Sequence, residues 1–272
     1  MKRSVKAFRE KKGGRIAMVT AYDYPTARLA EEAGVDAILV GDSLGNVVLG
    51  YEDTRPVKLE DIVHHAAAAR RGAKRTFLVA DLPYLEDATL ERAIEASRRL
   101  LKEAGADAVK LEGAKVEVVR GLVEAGVPVM GHLGLTPQTA SQLGGYRVQG
   151  RDLEGAKRLL ADALRLEAAG VFALVLEMVP APLARAITEQ VKIPTIGIGA
   201  GPDTDGQILV FHDLIGVPGE FRPRFVKRYL EGGELIRAAL SAYAEDVRAG
   251  RFPTPEHAFE LDPRVIEALG LG

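Results

Sequence analysis

The chain repeats one unit. A stretch with apolar residues at helical spacing ends in Ala-Gly and runs into a short, continuously apolar, β-branched segment. The unit appears as EEAGVDAILVGD (31–42), KEAGADAVKLEG (102–113), VEAGVPVMGHLG (123–134) and LEAAGVFALVLEMVP (166–180). Gly34, Gly105, Gly126 and Gly170 stand just past the helical stretches, where a left-handed backbone is cheap only for glycine. Runs that are apolar at every position suit parallel strands buried on both faces. TFLVADL (76–82) and IPTIGIGAG (193–201) have the same character, and RIAMVTAYD (15–23) and GQILVFHD (206–213) open and close a set of eight predicted strands. Amphipathic patterns predict helices over 25–33, 59–71, 87–104, 115–124, 152–169 and 181–190; the crossover before the last strand is short. This alternation predicts an α/β fold, a (β/α)8 TIM barrel rather than an open doubly wound sheet. The first strand runs into AYDYPTA with no GxGxxG, which removes a dinucleotide fold. The segment 221–272 leaves the repeat and predicts one or two helices and an extended tail. It is expected to cap the barrel or build an oligomer, leaving residues 1–272 one barrel domain.

Composition narrows the function classes. The length of 272 residues suits one such barrel, typically roughly 250 residues. A net charge of −2 from interspersed charges argues against a nucleic-acid or membrane-surface footprint. The N-terminus lacks the apolar stretch of a signal peptide, and no apolar run reaches the roughly 18 residues of a membrane span. The absence of cysteine excludes disulfides, thiolate nucleophiles and thiolate metal sites. A cytoplasmic enzyme is expected. Asn46 is the only asparagine and methionine is limited to four, a depletion of heat-labile types that points to a thermophile, with a GC-rich genome as the alternative.

Chemistry in such barrels sits at the C-terminal strand ends, where this sequence places Asp42 and Ser43, Asp81, Lys110 and Glu112, His132, Glu177, and His212 with Asp213. Asp42, Asp81 and Glu112 end neighbouring predicted strands. Three uncompensated buried anions repel at a cost of several kcal/mol each. A divalent cation resolves this, and an all-oxygen donor set favours Mg²⁺, then Mn²⁺, over zinc, with some acids acting through metal-bound water. The alternative for any one acid is a helix cap: Asp42 or Ser43 after the second strand, Asp87 before the helix at 87–104. Lys110 shares a strand face with Glu112; it pairs a substrate carboxylate or an oxyanion, or else forms an internal ion pair with Glu112. A Schiff-base lysine is disfavoured among three acids. Glu177 lies between Leu176 and Met178. Carboxylates in apolar settings hold protons more tightly, which suits a general base near neutrality; a carboxylate bound to a backbone N–H at the next helix start is the alternative. His132 ends a strand, with a binding role and a structural hydrogen bond both open. His64 and His65 are expected to be surface or packing residues. GIGAG (197–201) is a weak phosphate-cradle signal.

Taken together, TAYDYPTA (20–27), VGDSLGNVVLGY (40–51), ADLPY (80–84), VKLEG (109–113), PVMGHLGLTPQ (128–138), LEMVP (176–180), TIGIGAG (195–201), GQILVFHDLIG (206–216), RFVKRY and FPTPEHAF resemble the ketopantoate hydroxymethyltransferase family, in order and over essentially the whole chain. The resemblance implies transfer of a hydroxymethyl group from the co-substrate 5,10-methylenetetrahydrofolate to α-ketoisovalerate, giving ketopantoate for pantothenate biosynthesis. Carried over by position, Asp42, Asp81 and Glu112 match magnesium-site acids, Ser43 and Lys110 match substrate contacts, and Glu177 matches the proton acceptor. Asp42, Asp81 and His132 are also expected against the substrate. The resemblance further implies a homo-oligomer, a decamer. The mechanism it implies has Mg²⁺ chelating the 2-oxo acid while Glu177 removes the adjacent carbon's proton. The resulting enolate then attacks the folate-borne carbon. Phosphoenolpyruvate mutase and isocitrate lyase relatives are the competing enzyme class, but those lyases use a reactive cysteine that this chain lacks. A non-enzymatic binding barrel would not need the strand-end acids that are all present here.

Overall fold

The computed structural model describes residues 4–141, 144–217 and 223–271. Eight strands, β1 Ile16–Thr20, β2 Ala37–Val40, β3 Phe77–Asp81, β4 Ala108–Glu112, β5 Val129–Gly134, β6 Ala173–Glu177, β7 Thr195–Ile198 and β8 Gly206–Leu209, close into a barrel in sequence order. Every neighbouring pair is parallel, and β8 returns to β1. The helices are α1 Val5–Arg9, α2 Tyr24–Glu32, α3 Leu44–Val47, α4 Leu59–Gly72, α5 Leu90–Lys102, α6 Val116–Glu124, α7 Leu153–Ala169, α8 Ala181–Gln190, α9 Phe211–Leu214, α10 Gly232–Arg248 and α11 Pro263–Leu269. The (β/α)8 expectation is met, with each of the six predicted helices in place.

The local causes are those the sequence offers. Asp23, Thr89 and Asp152 cap α2, α5 and α7 by accepting from backbone N–H groups of the first turn. Gly170 ends α7 at φ 101°, and Gly34, Gly105 and Gly126 also have positive φ. Two boundaries differ from expectation. The last strand stops at Leu209, and Phe211, His212 and Asp213 belong to α9, because Val210 turns out of the sheet to start a helical turn. Asp87 does not cap α5; Thr89 does, and Asp87 is buried against Lys115.

Alternation along each strand divides the core in two. Ile38, Leu78, Val109, Leu111, Leu174 and Leu176 face the helices. Leu39, Phe77, Val79, Met130, Phe172 and Val175 fill the barrel interior. Phe8 of α1 plugs its lower end: the ring is fully buried, 5.5 Å from Phe77 and 5.4 Å from Phe172 between centroids. Going up the inner face, apolar side chains give way to Asp81, Lys110, Glu112, His132 and Glu177. The polar site is therefore the top layer of an otherwise apolar interior.

The C-terminal segment behaves differently. On α10, Leu235, Ile236, Leu240 and Tyr243 are exposed, as is Leu269 on α11. No helix among the described residues is long and apolar enough to cross a membrane.

Candidate active site

Strand register assembles the site. Asp81 on β3 stands opposite Lys110 on β4, Glu112 opposite His132 on β5, and Gly134 opposite Glu177 on β6. Asp42 and Ser43 follow β2 after the single residue Gly41. All seven functional residues expected from sequence, Asp42, Ser43, Asp81, Lys110, Glu112, His132 and Glu177, line one cavity of about 1180 Å³.

Within it, Lys110 Nζ lies 2.9 Å from Asp81 Oδ1 as an ion pair whose geometry falls short of an aligned hydrogen bond. Asp81 Oδ2 accepts from the Asp42 backbone N–H at 3.0 Å. His132 spans two acids, with Nδ1 3.5 Å from Glu112 Oε1 and Nε2 3.2 Å from Glu177 Oε2; Lys110 Nζ is 3.4 Å from the same Nδ1. Glu177 thus faces an imidazole. Its apolar sequence neighbour Leu176 points outward to the helices, so the carboxylate meets His132 rather than the side chain that precedes it in sequence. Met178, just after it, takes φ 46°, a left-handed conformation costly for a non-glycine residue and common at functional sites. Gly134 allows the close passage this needs: a Cβ there would stand 2.1 Å from the Glu177 carbonyl oxygen.

Electrostatics follow from burial and crowding. Desolvation first, then the charges of Glu112 and Asp81, pushes the Asp42 carboxyl well above the usual carboxylate range. Desolvation also raises Asp81, against the pull of Lys110. Burial acts on Glu112 in the same direction, but His132 and Lys110 hold it below the ordinary value. Burial opposes the charge on Lys110, yet the acids around it raise its pKa. Burial and Lys110 oppose protonation of His132, while Glu112 and Glu177 bring it up to about 9.

The capping alternatives do not describe this site. Ser43 precedes α3 without a side-chain cap bond; its Oγ lies 2.8 Å from the hydroxyl of Tyr22. The Asp42 carboxylate accepts from Gln138 Nε2 at 2.9 Å. Gln138 and Tyr22 are both buried here and were not singled out from sequence, although both fall inside the quoted motifs; a glutamine or tyrosine in a loop carries no periodic signal. Of the weaker candidates, His65 meets the backbone carbonyl of Tyr22 and His212 stacks on the Tyr22 ring, and neither is among the residues that line the cavity. The glycines at 199 and 201 make room for Phe225 and Ala181, where a Cβ would approach to 2.9 and 2.4 Å.

The donor set fits a hard divalent cation. Four carboxylates face one ammonium and one imidazole, so even with the imidazole charged two negative charges remain formally unbalanced. Asp81 Oδ1 is buried without an aligned hydrogen bond. Among the described residues no three Asp, Glu or His side chains converge closely enough to hold an ion without help. Asp42, Asp81 and Glu112 are the candidates to hold an ion, with water completing its coordination.

Sequence comparison identifies the family. The sequence model of the ketopantoate hydroxymethyltransferase family matches residues 2–255. A 3-methyl-2-oxobutanoate hydroxymethyltransferase of Thermus thermophilus is 67% identical over 261 residues, covering 95% of this chain and 100% of the relative. The enzyme of the same name from Moorella thermoacetica is 57% identical over 254 residues, covering 92% and 94%. Among solved structures, a phosphonopyruvate hydrolase in complex with oxalate and Mg²⁺ superposes with a TM-score of 0.61 at 16% identity, covering 99% and 95%. A 2,3-dimethylmalate lyase of the PEP mutase/isocitrate lyase superfamily gives 0.57 at 17%, covering 99% and 95%. These two likenesses concern the barrel fold alone. With a family match across nearly the whole chain, close relatives of one name and the strand-end site in place, the chain belongs to the ketopantoate hydroxymethyltransferase family of enzymes.

Proposed function

We propose that the protein transfers a hydroxymethyl group from 5,10-methylenetetrahydrofolate to α-ketoisovalerate, forming ketopantoate for pantothenate biosynthesis, with Mg²⁺ held by Asp42, Asp81 and Glu112. The observation that carries this is the polar top layer of the barrel, where an acid cluster and a separate carboxylate, Glu177, line one cavity. Bound there, Mg²⁺ supplies Lewis-acid polarisation of the keto oxygen. Glu177 takes the proton from C3 of the substrate, and His132, 3.2 Å away, orients the carboxylate and offsets its charge before the transfer. Lys110 and Ser43 position the substrate carboxylate, with Tyr22 fixing the Ser43 hydroxyl. The substrate carbon bonds to the folate's one-carbon unit as both of that unit's C–N bonds break; water supplies the hydroxyl oxygen, and tetrahydrofolate leaves with the C3 proton and one proton of water on its two freed nitrogens.

The cavity supports a second, larger ligand. At about 1180 Å³ it exceeds the roughly 300–1,000 Å³ that hold drug-sized molecules, far more than a five-carbon acid fills. Asn46, Thr54, Tyr146, Val148 and Phe225 line it beyond the acids and are the candidate folate wall. The exposed apolar residues of α10 and α11 support the role of 221–272 as an oligomer-building extension on a single barrel domain, in a homo-oligomer, a decamer by family likeness. A cytoplasmic setting and a thermophilic source complete the reading; relatives from Thermus and Moorella support the latter.

Loss of the C3 proton of α-ketoisovalerate into D₂O, followed by NMR, tests the chemistry without folate. Exchange should need Mg²⁺ and fall by about 10²–10⁴-fold in Glu177→Gln. Metal-independent exchange, or exchange undiminished in the variant, refutes the proposal.

A further inference from the structure

We infer that Gln138 is a positioning residue that holds the Asp42 carboxylate ready for a divalent cation; this rests on the metal reading of the acid cluster given above. Gln138 lies in the one-turn 3₁₀ segment Pro137–Thr139 after β5, and only 3% of it is exposed. The Thr136 and Thr139 hydroxyls, 2.6 Å apart, fasten the turn on either side. From this one position three chain segments are gripped. The side-chain amide donates to Asp42 Oδ2 at 2.9 Å and to the Leu82 carbonyl at 3.0 Å, so both of its N–H groups are spent. The backbone N–H donates to Glu112 Oε2 at 3.1 Å. Gln138 therefore stands between two carboxylates that repel one another and offers a donor to each.

The pattern of oxygens gives this arrangement a purpose. Asp81 has Lys110 beside Oδ1 and the Asp42 N–H on Oδ2. Glu112 has His132 beside Oε1 and the Gln138 N–H on Oε2. Among the described residues, Asp42 Oδ1 has neither a hydrogen bond nor an ion pair, whereas Asp81 Oδ1, which also lacks an aligned hydrogen bond, has its ion pair with Lys110; Asp42 lines the cavity. Fixing Oδ2 sets the carboxylate's rotamer and leaves Oδ1 for a ligand. An acid already oriented loses less side-chain freedom on binding an ion, and outer-shell hydrogen bonds of this kind are worth about 10- to 100-fold in metal affinity. A carboxylate in place of the amide could not serve, because it has no N–H to offer Asp42 or Leu82.

Mn²⁺ binding to the full-length protein, read from the free-ion EPR signal and by calorimetry with no 2-oxo acid present, tests this. Gln138→Met keeps the volume and removes both amide donors. Gln138→Asn keeps an amide but withdraws it by one methylene, and Asp42→Asn is the control for the site itself. Affinity for Mn²⁺ should fall about 10- to 100-fold in Gln138→Met and by less in Gln138→Asn, with exchange activity returning as Mn²⁺ is raised. If Asp42→Asn weakens binding but folded Gln138→Met binds Mn²⁺ like wild type, the role of Gln138 is overturned and the metal reading stands. If Asp42→Asn changes nothing, the metal reading fails and takes the inference with it. Activity that excess Mn²⁺ does not restore marks damage to the fold and also overturns the role. Should Gln138→Met not fold, unchanged affinity in Gln138→Asn decides against it.

Discussion

Replacing Lys110 by methionine isolates what holds the acid layer together. The side chain is 4% exposed, its ammonium lies 2.9 Å from Asp81, and Asp42 and Glu112 also act on it. At that distance and an effective dielectric of about 20, the Asp81 attraction alone is on the order of 6 kcal/mol. Desolvation of both partners offsets much of it. Removing one partner is different, because the other is left as an uncompensated buried charge, and such changes cost about 3–5 kcal/mol. Methionine fills the same volume, so little of the loss comes from a cavity. For a chain of this size about 4 kcal/mol corresponds to a fall in melting temperature of roughly 10 °C. The assay is calorimetric or dichroism-followed melting in EDTA at pH 8, with Lys110→Met, Asp81→Asn and the double variant. The Lys110 pKa is raised in the folded state, so its stabilisation is complete below the ordinary lysine value and is lost only as pH rises through the folded one. At pH 8 it is fully present. Below that, the deficit of Lys110→Met should shrink as pH falls toward 5, because Asp42 and Asp81, already raised by burial, take up a proton and shed the unpaired charge. The double variant should recover part of the loss. A Lys110→Met protein melting within about 1 °C of wild type at pH 8, or single effects that add within about 0.5 kcal/mol, refutes the account.

Two further outcomes follow from geometry elsewhere. Gly134→Ala should destabilise by roughly 3 kcal/mol, because φ 96° disfavours any side chain and the new Cβ meets the Glu177 carbonyl at 2.1 Å. The same displacement should slow C3 proton exchange, and an unchanged melting curve would count against the contact. Burial works against the charge of Glu31, but backbone donors from Arg75 and Thr76 hold its carboxyl below the ordinary range, so its stabilisation is present above that range and lost as pH falls through the folded pKa. Glu31→Ala should cost roughly 1–2 kcal/mol at pH 7, with the gap to wild type closing in acid; a gap that persists there is the contrary result.

The sequence by itself determined the architecture and most of the site. Apolar runs preceded by Ala-Gly and separated by helical patterns suit parallel strands buried on both faces under a helical shell, and eight of them in a chain of this length favour the closed barrel that the structure shows. The period of two along a strand then places Lys110 and Glu112 on one face, while the barrel rule places the acids at one end. What pattern could not supply is register and partnership between strands. Glu177 reads as a lone carboxylate among apolar neighbours until Leu176 is seen to face outward and His132 to stand opposite. Likewise Asp42 reads equally as a helix cap until Gln138, 96 residues away, is found holding it. The last strand's early end at Leu209 was invisible for the same reason, since Val210 and Phe211 suit a strand and a helix alike. Local chemistry decides which face a residue prefers. Only the closed tertiary structure decides what it meets there, because the energies that settle Gln138, His132 and Lys110 come from groups brought together by strands far apart in the chain.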